Sequence, residues 1–278
     1  MSNMWDELKK IVSVARESGA LIMRYYRGEL ESDVSNKADN TPVTAADQAA
    51  DRLIRQRLKE FTPGVPCLSE ESQIPSFQSR SEWHDYWLVD PLDGTRGFID
   101  RDGNFTVNIA RIQSGVPCLG VVFMPDKDIC YAAARGLGAF RSEPGSSELE
   151  PISTRPHSNP LVISRSARRS SEEYNSLKDY LSDTGFEISE KRVGGSIKLC
   201  QVAEGVSDFY PCFVPTSEWD TAAGQIIVEQ AGGLVVEAET GLPLRYNKKE
   251  TLLNPHFLAV DDPEFDWRAM LVTSLNSE

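Results

Sequence analysis

Trp87-Leu88-Val89-Asp90-Pro91-Leu92-Asp93-Gly94-Thr95 is the stretch that decides how this chain is read. An apolar run of strand character ends abruptly in two acids, a proline, a glycine and a hydroxyl. Asp90 is expected at the last strand position and Pro91 to bend the chain. Asp93, three residues on, can then fold back toward Asp90 around a shared cation, because two carboxylates that close repel strongly without one. Gly94 lets the backbone approach an anion, and Thr95 offers a hydroxyl beside an amide. Two more stretches place acids at the ends of elements. Leu68-Ser69-Glu70-Glu71-Ser72 follows a short apolar strand, and Glu218-Trp219-Asp220-Thr221-Ala222-Ala223-Gly224 opens a helix with Asp220 in its first turn. Singly, each acid has an ordinary reading: a solvated turn residue at Glu70 or Asp220, a dipole-favoured first-turn acid at Asp47, a calcium loop at Asp90 and Asp93. The last of these misses the EF-hand spacing. Together they point to a site for a hard dication, and oxygen donors without neighbouring His or Cys favour magnesium or manganese over zinc.

Outward from these motifs the chain divides into two patterns. Trp5, Leu8, Val12, Ala15, Gly19, Ile22 and Tyr26 recur at steps of three and four, predicting an amphipathic helix that ends near Gly28. Ser32 to Pro42 is polar and aperiodic and reads as a mobile lid that brings Lys37 and Asp39 toward the site. Thr44 is placed to cap a second helix with Ala50, Leu53, Ile54, Leu58 and Phe61 on its apolar face. Strands are expected at Val65 to Leu68, Tyr86 to Val89, Phe105 to Ile112, Val116 to Phe123 and Ile129 to Ala134, joined by short turns as in an antiparallel sheet.

The second half alternates. Strands at Leu161 to Ser164, near Phe186, at Ser207 to Tyr210 and at Leu234 to Val236 interleave with helices after Arg168, at Ile197 to Ala203 and at Glu218 to Ala231, which indicates layered α/β architecture. Ser142 to Glu150, with Pro144-Gly145-Ser146-Ser147, is the expected boundary between an N-terminal lobe of about 1–150 and a C-terminal lobe of about 151–278 in one continuous unit.

The 278 residues carry 42 acids against 29 Lys and Arg, a formal charge of −13, which argues against a polymeric nucleic acid as partner. A small anionic substrate stays compatible if a bound cation reverses the field locally. The five cysteines, Cys67, Cys118, Cys130, Cys200 and Cys212, are odd in number and irregularly spaced, which suggests neither a disulfide framework nor zinc and fits a reducing cytosol. His84, His157 and His256 form no ligand pair. No basic leader and no apolar run long enough to span a bilayer are present, so the expectation is a soluble, unprocessed protein.

Asp90-Pro91-Leu92-Asp93-Gly94-Thr95, Glu70-Glu71-Ser72 and Trp219-Asp220-Thr221-Ala222-Ala223-Gly224 resemble the three signatures of the magnesium-dependent, lithium-sensitive inositol monophosphatase superfamily. Thr41-Pro42-Val43-Thr44-Ala45-Ala46-Asp47, the strand Phe105 to Ala110 and Val202-Ala203-Glu204-Gly205 are most similar to its CysQ-type 3'(2'),5'-bisphosphate nucleotidases. The resemblance covers nearly the whole chain. It implies a layered α-β-α-β-α sugar-phosphatase fold, antiparallel sheet first and mixed sheet second. It also implies removal of one phosphate from adenosine 3',5'-bisphosphate, a by-product of sulfur metabolism, to give AMP. Carried over, Glu70, Asp90 and the Leu92 carbonyl would hold one Mg2+, and Asp90, Asp93 and Asp220 a second. A third ion near Glu70, or Mn2+ in place of Mg2+, is compatible. Asp47 would orient Thr95, which with Glu70 activates the attacking water, while the Gly94 and Thr95 amides receive phosphate oxygens. Relatives are cytoplasmic, some loosely attached to the inner face of the membrane, and the expected state is a monomer or homodimer.

Substrate choice is read from fewer residues. Gly195-Ser196-Ile197-Lys198 is similar to the element that contacts the nucleotide, which makes Lys198 a candidate for the second phosphate; the plain alternative is a surface lysine on a helix. Inositol-specific relatives carry an acid seven positions before Asp220, where this chain has Phe213, and an apolar ring suits a base better than a polyol. Close nucleotidase relatives often have Arg where Cys212 stands, so that basic contact is either missing here or supplied by Arg165, Arg168 or Arg192. Three other readings stay open. One is an inositol or sugar monophosphatase. Another is a phosphatase with an aspartate nucleophile, whose D-x-D-G-T motif has the second acid one residue closer. The third is a non-catalytic cation- or nucleotide-binding protein, against which the presence of both Asp47 and Thr95 weighs.

Overall fold

Side chains along a strand face alternately to either side, and here both faces of two sheets are covered, which produces five layers. The structure, a computed structural model, describes residues 4–31, 34–36, 42–156, 159–166, 168, 170–264 and 267. Helix α1 (Met4–Tyr26) precedes a small antiparallel pair, β1 (Val34–Asn36) and β2 (Pro42–Thr44), which leads into α2 (Ala45–Phe61). The first large sheet has seven strands in the order β3 (Cys67–Ser69), β4 (Asp85–Asp93), β5 (Thr106–Gln113), β6 (Val116–Met124), β7 (Ile129–Ala134), β8 (Gly138–Ser142) and β9 (Glu150–Ile152). Short helices α3 (Phe77–Arg80) and α4 (Thr95–Ile99) flank β4.

The second sheet contains β10 (Leu161–Ser166), β11 (Ile188–Val193), β12 (Phe209–Cys212), β13 (Leu234–Glu237) and β14 (Phe257–Val260), with spatial order β11-β10-β12-β14-β13. Helices α5 (Glu172–Asp183), α6 (Ile197–Ala203) and α7 (Glu218–Ala231) connect its strands. It is mixed: β10 runs parallel to β11 and β12, whereas β14 is antiparallel to β12 and β13.

Three buried clusters define the layers. Leu8, Ile11, Ala15 and Ile22 of α1 and Ile54 and Leu58 of α2 pack on Trp87, Val89, Val107, Ile109 and Val121 of the first sheet. On its other face Tyr86, Leu88, Ile112 and Val122 meet α6, α7 and the second sheet. Beyond that sheet, Tyr174, Leu177 and Leu181 of α5 cover Ile163, Phe209 and Leu258. Burying each large aliphatic side chain contributes roughly 1.5–3 kcal/mol, so the stacking explains why neither sheet stands alone. The small face of α7 permits close packing, since a Cβ at Gly224 would lie 2.4 Å from Leu199 of α6.

Several sequence expectations shift. Strand β4 runs through both acids to Asp93, with a register irregularity between Asp90 and Asp93 where Pro91 sits, so Asp90 is not the last strand residue. The first sheet is antiparallel except that β3 pairs parallel to β4, because residues 70–84 form a crossover rather than a hairpin. The 142–150 stretch joins β8 to β9 inside the first sheet, and the chain leaves that sheet only after Ile152. Strands β1, β2, β8, β9 and β14 were not expected, β1 lying within the stretch read as an aperiodic loop, and β12 begins two residues later than read. The proposed lid residues Lys37 and Asp39, together with Thr41 and His157, lie outside the described residues. No helix of the described residues is long and apolar enough to cross a membrane.

At the end of the second sheet farthest from the acidic motifs, Asp261 is buried with no side-chain partner for its carboxylate among the described residues, and its amide donates to the Asp208 carbonyl at 3.0 Å. Burial, then the Asp208 charge, pushes its carboxyl up to about 7. Folding therefore takes up a proton between the unfolded value of ~3.9 and about 7, and stability declines as pH rises across that window. Asp261→Asn is expected to match wild type near pH 4 and to exceed it at pH 8 by roughly 1–2 kcal/mol, read by urea denaturation at both pH values.

Candidate active site

The acidic motifs meet where the carboxyl end of β4 abuts the start of α7. The Glu70 amide donates to the Val89 carbonyl at 3.1 Å, which seats the loop after β3 against the last part of β4. Asp51 of α2 secures the same loop by accepting from the Ser69 hydroxyl at 2.6 Å. At the opposite wall, Asp220 is the third residue of α7 and closes a capping box, with its Oδ2 accepting from the Ser217 amide at 2.8 Å. One oxygen from each of Glu70, Asp90 and Asp220 lies within 4.8 Å of the others. Asp93 lies outside that trio but next to it, its charge acting on both Asp90 and Asp220.

The electrostatics follow from the crowding. Burial, then the charges of Glu70, Asp93 and Asp220, push the Asp90 carboxyl well above its ordinary range, opposed by the Leu92 amide that donates to Oδ1 at 3.0 Å. Asp220 is pushed well above its ordinary range by burial and then by Asp93, against the Ser217 amide and the Lys198 charge. Buried carboxylates whose pKa values are raised by burial and neighbouring acids, with oxygen-only donors, fit a hard dication, which would neutralise what the protein leaves uncompensated.

A second pair stands beside them. Asp47, third residue of α2, closes another capping box: Oδ2 accepts from the Thr44 amide at 2.8 Å and from the Thr44 hydroxyl at 2.5 Å. Its Oδ1 accepts from the Thr95 hydroxyl at 3.1 Å, and the Leu92 carbonyl lies 3.3 Å from the same hydroxyl. The helix-cap reading and the site reading of Asp47 are thus both realised, one on each oxygen. Burial pushes its carboxyl above the ordinary range despite those bonds, which makes it a better proton acceptor. Gly94 precedes Thr95 at φ 90°, where a Cβ would also come within 2.6 Å of the Asn104 carbonyl oxygen.

Lys198 is buried rather than on the surface: its amine donates to the Gly195 carbonyl at 2.5 Å and sits 5.2 Å from the Tyr210 ring centre. Gly195 touches Asp93, since a Cβ there would be 2.7 Å from Asp93 Oδ2. Tyr210, Cys212 and Phe213 line a pocket with Arg165 and Tyr174, and burial pushes the Cys212 thiol up. Of the three arginines considered, Arg165 lies 3.3 Å from Glu190 and over the Tyr174 ring, and Arg192 pairs with Glu190 at 3.2 Å. Arg168 reaches across to Asp100 and Asp102 just after α4.

The sequence reading missed the residues that hold these groups. Glu218, pushed up to about 7 by burial, accepts from the Asn247 amide at 2.8 Å, and Asn247 in turn is bound to the buried Arg80, which anchors the start of α7. Asn108 and Ser196 converge on Asp93. The doublet Gly194-Gly195 before Ser196 was the available signal of close backbone approach. His84 and His256 are exposed, and the five cysteines are unpaired.

The sequence model of the inositol monophosphatase family matches residues 4–269. The chain belongs to the inositol monophosphatase family. Members of that family are metal-dependent phosphatases, generally using Mg2+. Within it, the chain is 45% identical over 251 residues to the 3'(2'),5'-bisphosphate nucleotidase CysQ of Escherichia coli K12, covering 90% of this chain and 98% of that protein. It is 35% identical over 266 residues to the protein of the same name from Haemophilus influenzae, covering 95% and 96%. The crystal structure of CysQ from Bacteroides thetaiotaomicron, a bacterial member of the family, superposes with a TM-score of 0.82 at 36% identity over 94% of this chain and 100% of that one. The layered fold expected from the motifs is therefore the family fold.

Gly94→Ala combines a disfavoured φ with a clash against backbone, so the variant is expected to lose roughly 2–4 kcal/mol of stability in a guanidinium titration.

Proposed function

We propose that the chain is a 3'(2'),5'-bisphosphate nucleotidase that hydrolyses the 3'-phosphate of adenosine 3',5'-bisphosphate to AMP and inorganic phosphate. The observation that carries this reading is the trio of Glu70, Asp90 and Asp220 oxygens beside the Asp47 and Thr95 pair, in a chain with close kinship to CysQ nucleotidases. Glu70, Asp90, Asp93, Asp220 and the Leu92 carbonyl are assigned as donors for two Mg2+ ions, with room in the scheme for a third near Glu70 and for Mn2+. When bound, these ions supply Lewis acidity that lowers the pKa of coordinated water and neutralises phosphate charge.

The remaining work falls to the chain's own groups. Thr95 orients the attacking water through its hydroxyl oxygen and passes a proton toward Asp47, whose raised pKa suits that task. Glu70 stands on the same side as a further acceptor. Gly94 and Thr95 present backbone amides to the phosphate oxygens at the turn into α4. The water oxygen bonds to phosphorus as its proton passes toward Asp47, the bond from phosphorus to the 3'-oxygen breaks, and that oxygen takes a proton from solvent water to leave as the 3'-hydroxyl of AMP. Lys198 and Gly195 are assigned to the second phosphate, and the pocket of Phe213, Tyr174 and Arg165 to the base. The buried, apolar Cys212 and Phe213 give a polyol little to bind, which favours the nucleotide over inositol phosphate.

In a phosphate-release panel at equal Mg2+, turnover of adenosine 3',5'-bisphosphate is expected to exceed that of inositol 1-phosphate by at least about tenfold, a ratio equivalent to roughly 1.4 kcal/mol. Asp90→Asn and Asp220→Asn should each abolish turnover in the same assay, and near-normal kinetics in either would overturn the assignment. Thr95→Ala is expected to lower kcat about 100- to 1000-fold while Mg2+ binding by calorimetry persists.

A further inference from the structure

Ser196 stands at the N-terminal boundary of α6, where serine ordinarily uses its hydroxyl to cap the helix. Here it makes no such bond. Instead the hydroxyl, on a residue 3% exposed, lies 2.9 Å from Asp93 Oδ2 and 2.7 Å from the backbone carbonyl of Asp220. The Ser196 amide donates to the same Asp93 oxygen at 2.7 Å.

The direction of the network is set from below. The Thr106 hydroxyl donates to Asn108 Oδ1 at 3.0 Å, which turns Asn108 Nδ2 toward the Ser196 hydroxyl at 2.8 Å. Because the serine oxygen accepts that bond, its one proton goes to Asp93 or to the Asp220 carbonyl. Three elements meet at this serine: β5 through Asn108, β4 through Asp93, which the Ser196 amide also holds, and α7 through the Asp220 carbonyl. Gly195 makes the approach feasible, at φ 51° and with no room for a Cβ against Asp93.

We propose that Ser196 is a positioning residue: its hydroxyl is a strut that fixes the roll of Asp93 and its spacing from Asp220 against the repulsion between these two acids. The inference rests on the metal reading above, since its purpose would be to hold the donors ready for a dication. Groups that orient metal ligands typically change metal affinity or activity by 10- to 100-fold when removed.

Calorimetric titration with Mg2+ alone, without substrate, tests it. Ser196→Ala is expected to weaken Mg2+ binding about tenfold or more and to raise the Mg2+ concentration for half-maximal turnover in step. At saturating Mg2+ the substrate KM should stay within about twofold of wild type, as expected of a residue that acts through its neighbours. Ser196→Thr keeps the hydroxyl and should recover most of the lost affinity. Wild-type Mg2+ affinity in Ser196→Ala, or equal impairment in the alanine and threonine variants, overturns the proposal. If Ser196→Ala does not fold, Asn108→Ala removes the donor that directs the hydroxyl, and unchanged affinity there overturns it equally. Absence of Mg2+ binding by the wild-type protein would sink the metal reading and this inference with it, whereas wild-type binding retained in Ser196→Ala sinks the inference alone.

Discussion

Four carboxylates share one corner of this molecule, and two of them, Asp90 and Asp220, are pushed far toward the protonated form by burial and by the charges of neighbouring acids, Glu70 and Asp93 acting on both. Like charges a few ångströms apart in a low-dielectric interior cost several kcal/mol unless something opposes them. The surrounding structure reads as a set of partial answers to that cost. Backbone amides of Leu92, Ser217 and Ser196 each donate to one of these acids, and the buried Lys198 adds a positive charge near Asp220. Each answer fixes a carboxylate oxygen while leaving the group as a whole short of positive charge, which is the condition under which a dication binds well.

The layers serve that corner. The first sheet brings Asp90 and Asp93 to the end of β4, and the bulge there turns both acids to the same region. Because α7 packs between the sheets through a face of small residues, its first turn is delivered to the same place from the other half of the chain. Arg80, Asn247 and Glu218 pin that turn from behind. Helix α2 contributes differently, since Asp47 satisfies its own helix start with one oxygen and holds Thr95 with the other. A residue that does both cannot be lost without also loosening the element that carries it.

The legibility of this arrangement in the sequence was uneven for physical reasons. Helices α6 and α7 were read with their observed limits because each run is bounded by local signals, with Ser196 and Ser217 before the first residue and Gly205 and Gly232 just past the last. The parallel pairing of β3 with β4 was not legible, since strand direction depends on how residues 70–84 cross over and not on the pattern within either strand. Strand β14, a short apolar run between β12 and β13 in the second sheet, was missed because four residues carry no periodicity. Lys198 could be read from the sequence as a phosphate ligand or as a surface lysine, and only the packing of α6 against β12 buries it above Tyr210.

From the residues alone came the inventory: oxygen donors in three motifs, a hydroxyl beside them, a glycine where the backbone must turn, and enough helix and strand pattern to place each at the end of an element. Those properties are set by neighbours a few positions away. Only the folded chain decided which oxygen of each acid is held and which is turned toward the others, and that Ser196 links Asp93 to Asp220 across 103 and 24 residues of sequence. Hydrogen bonds and charge repulsion at that range depend on where separate elements come to rest, a matter of packing that no local pattern encodes.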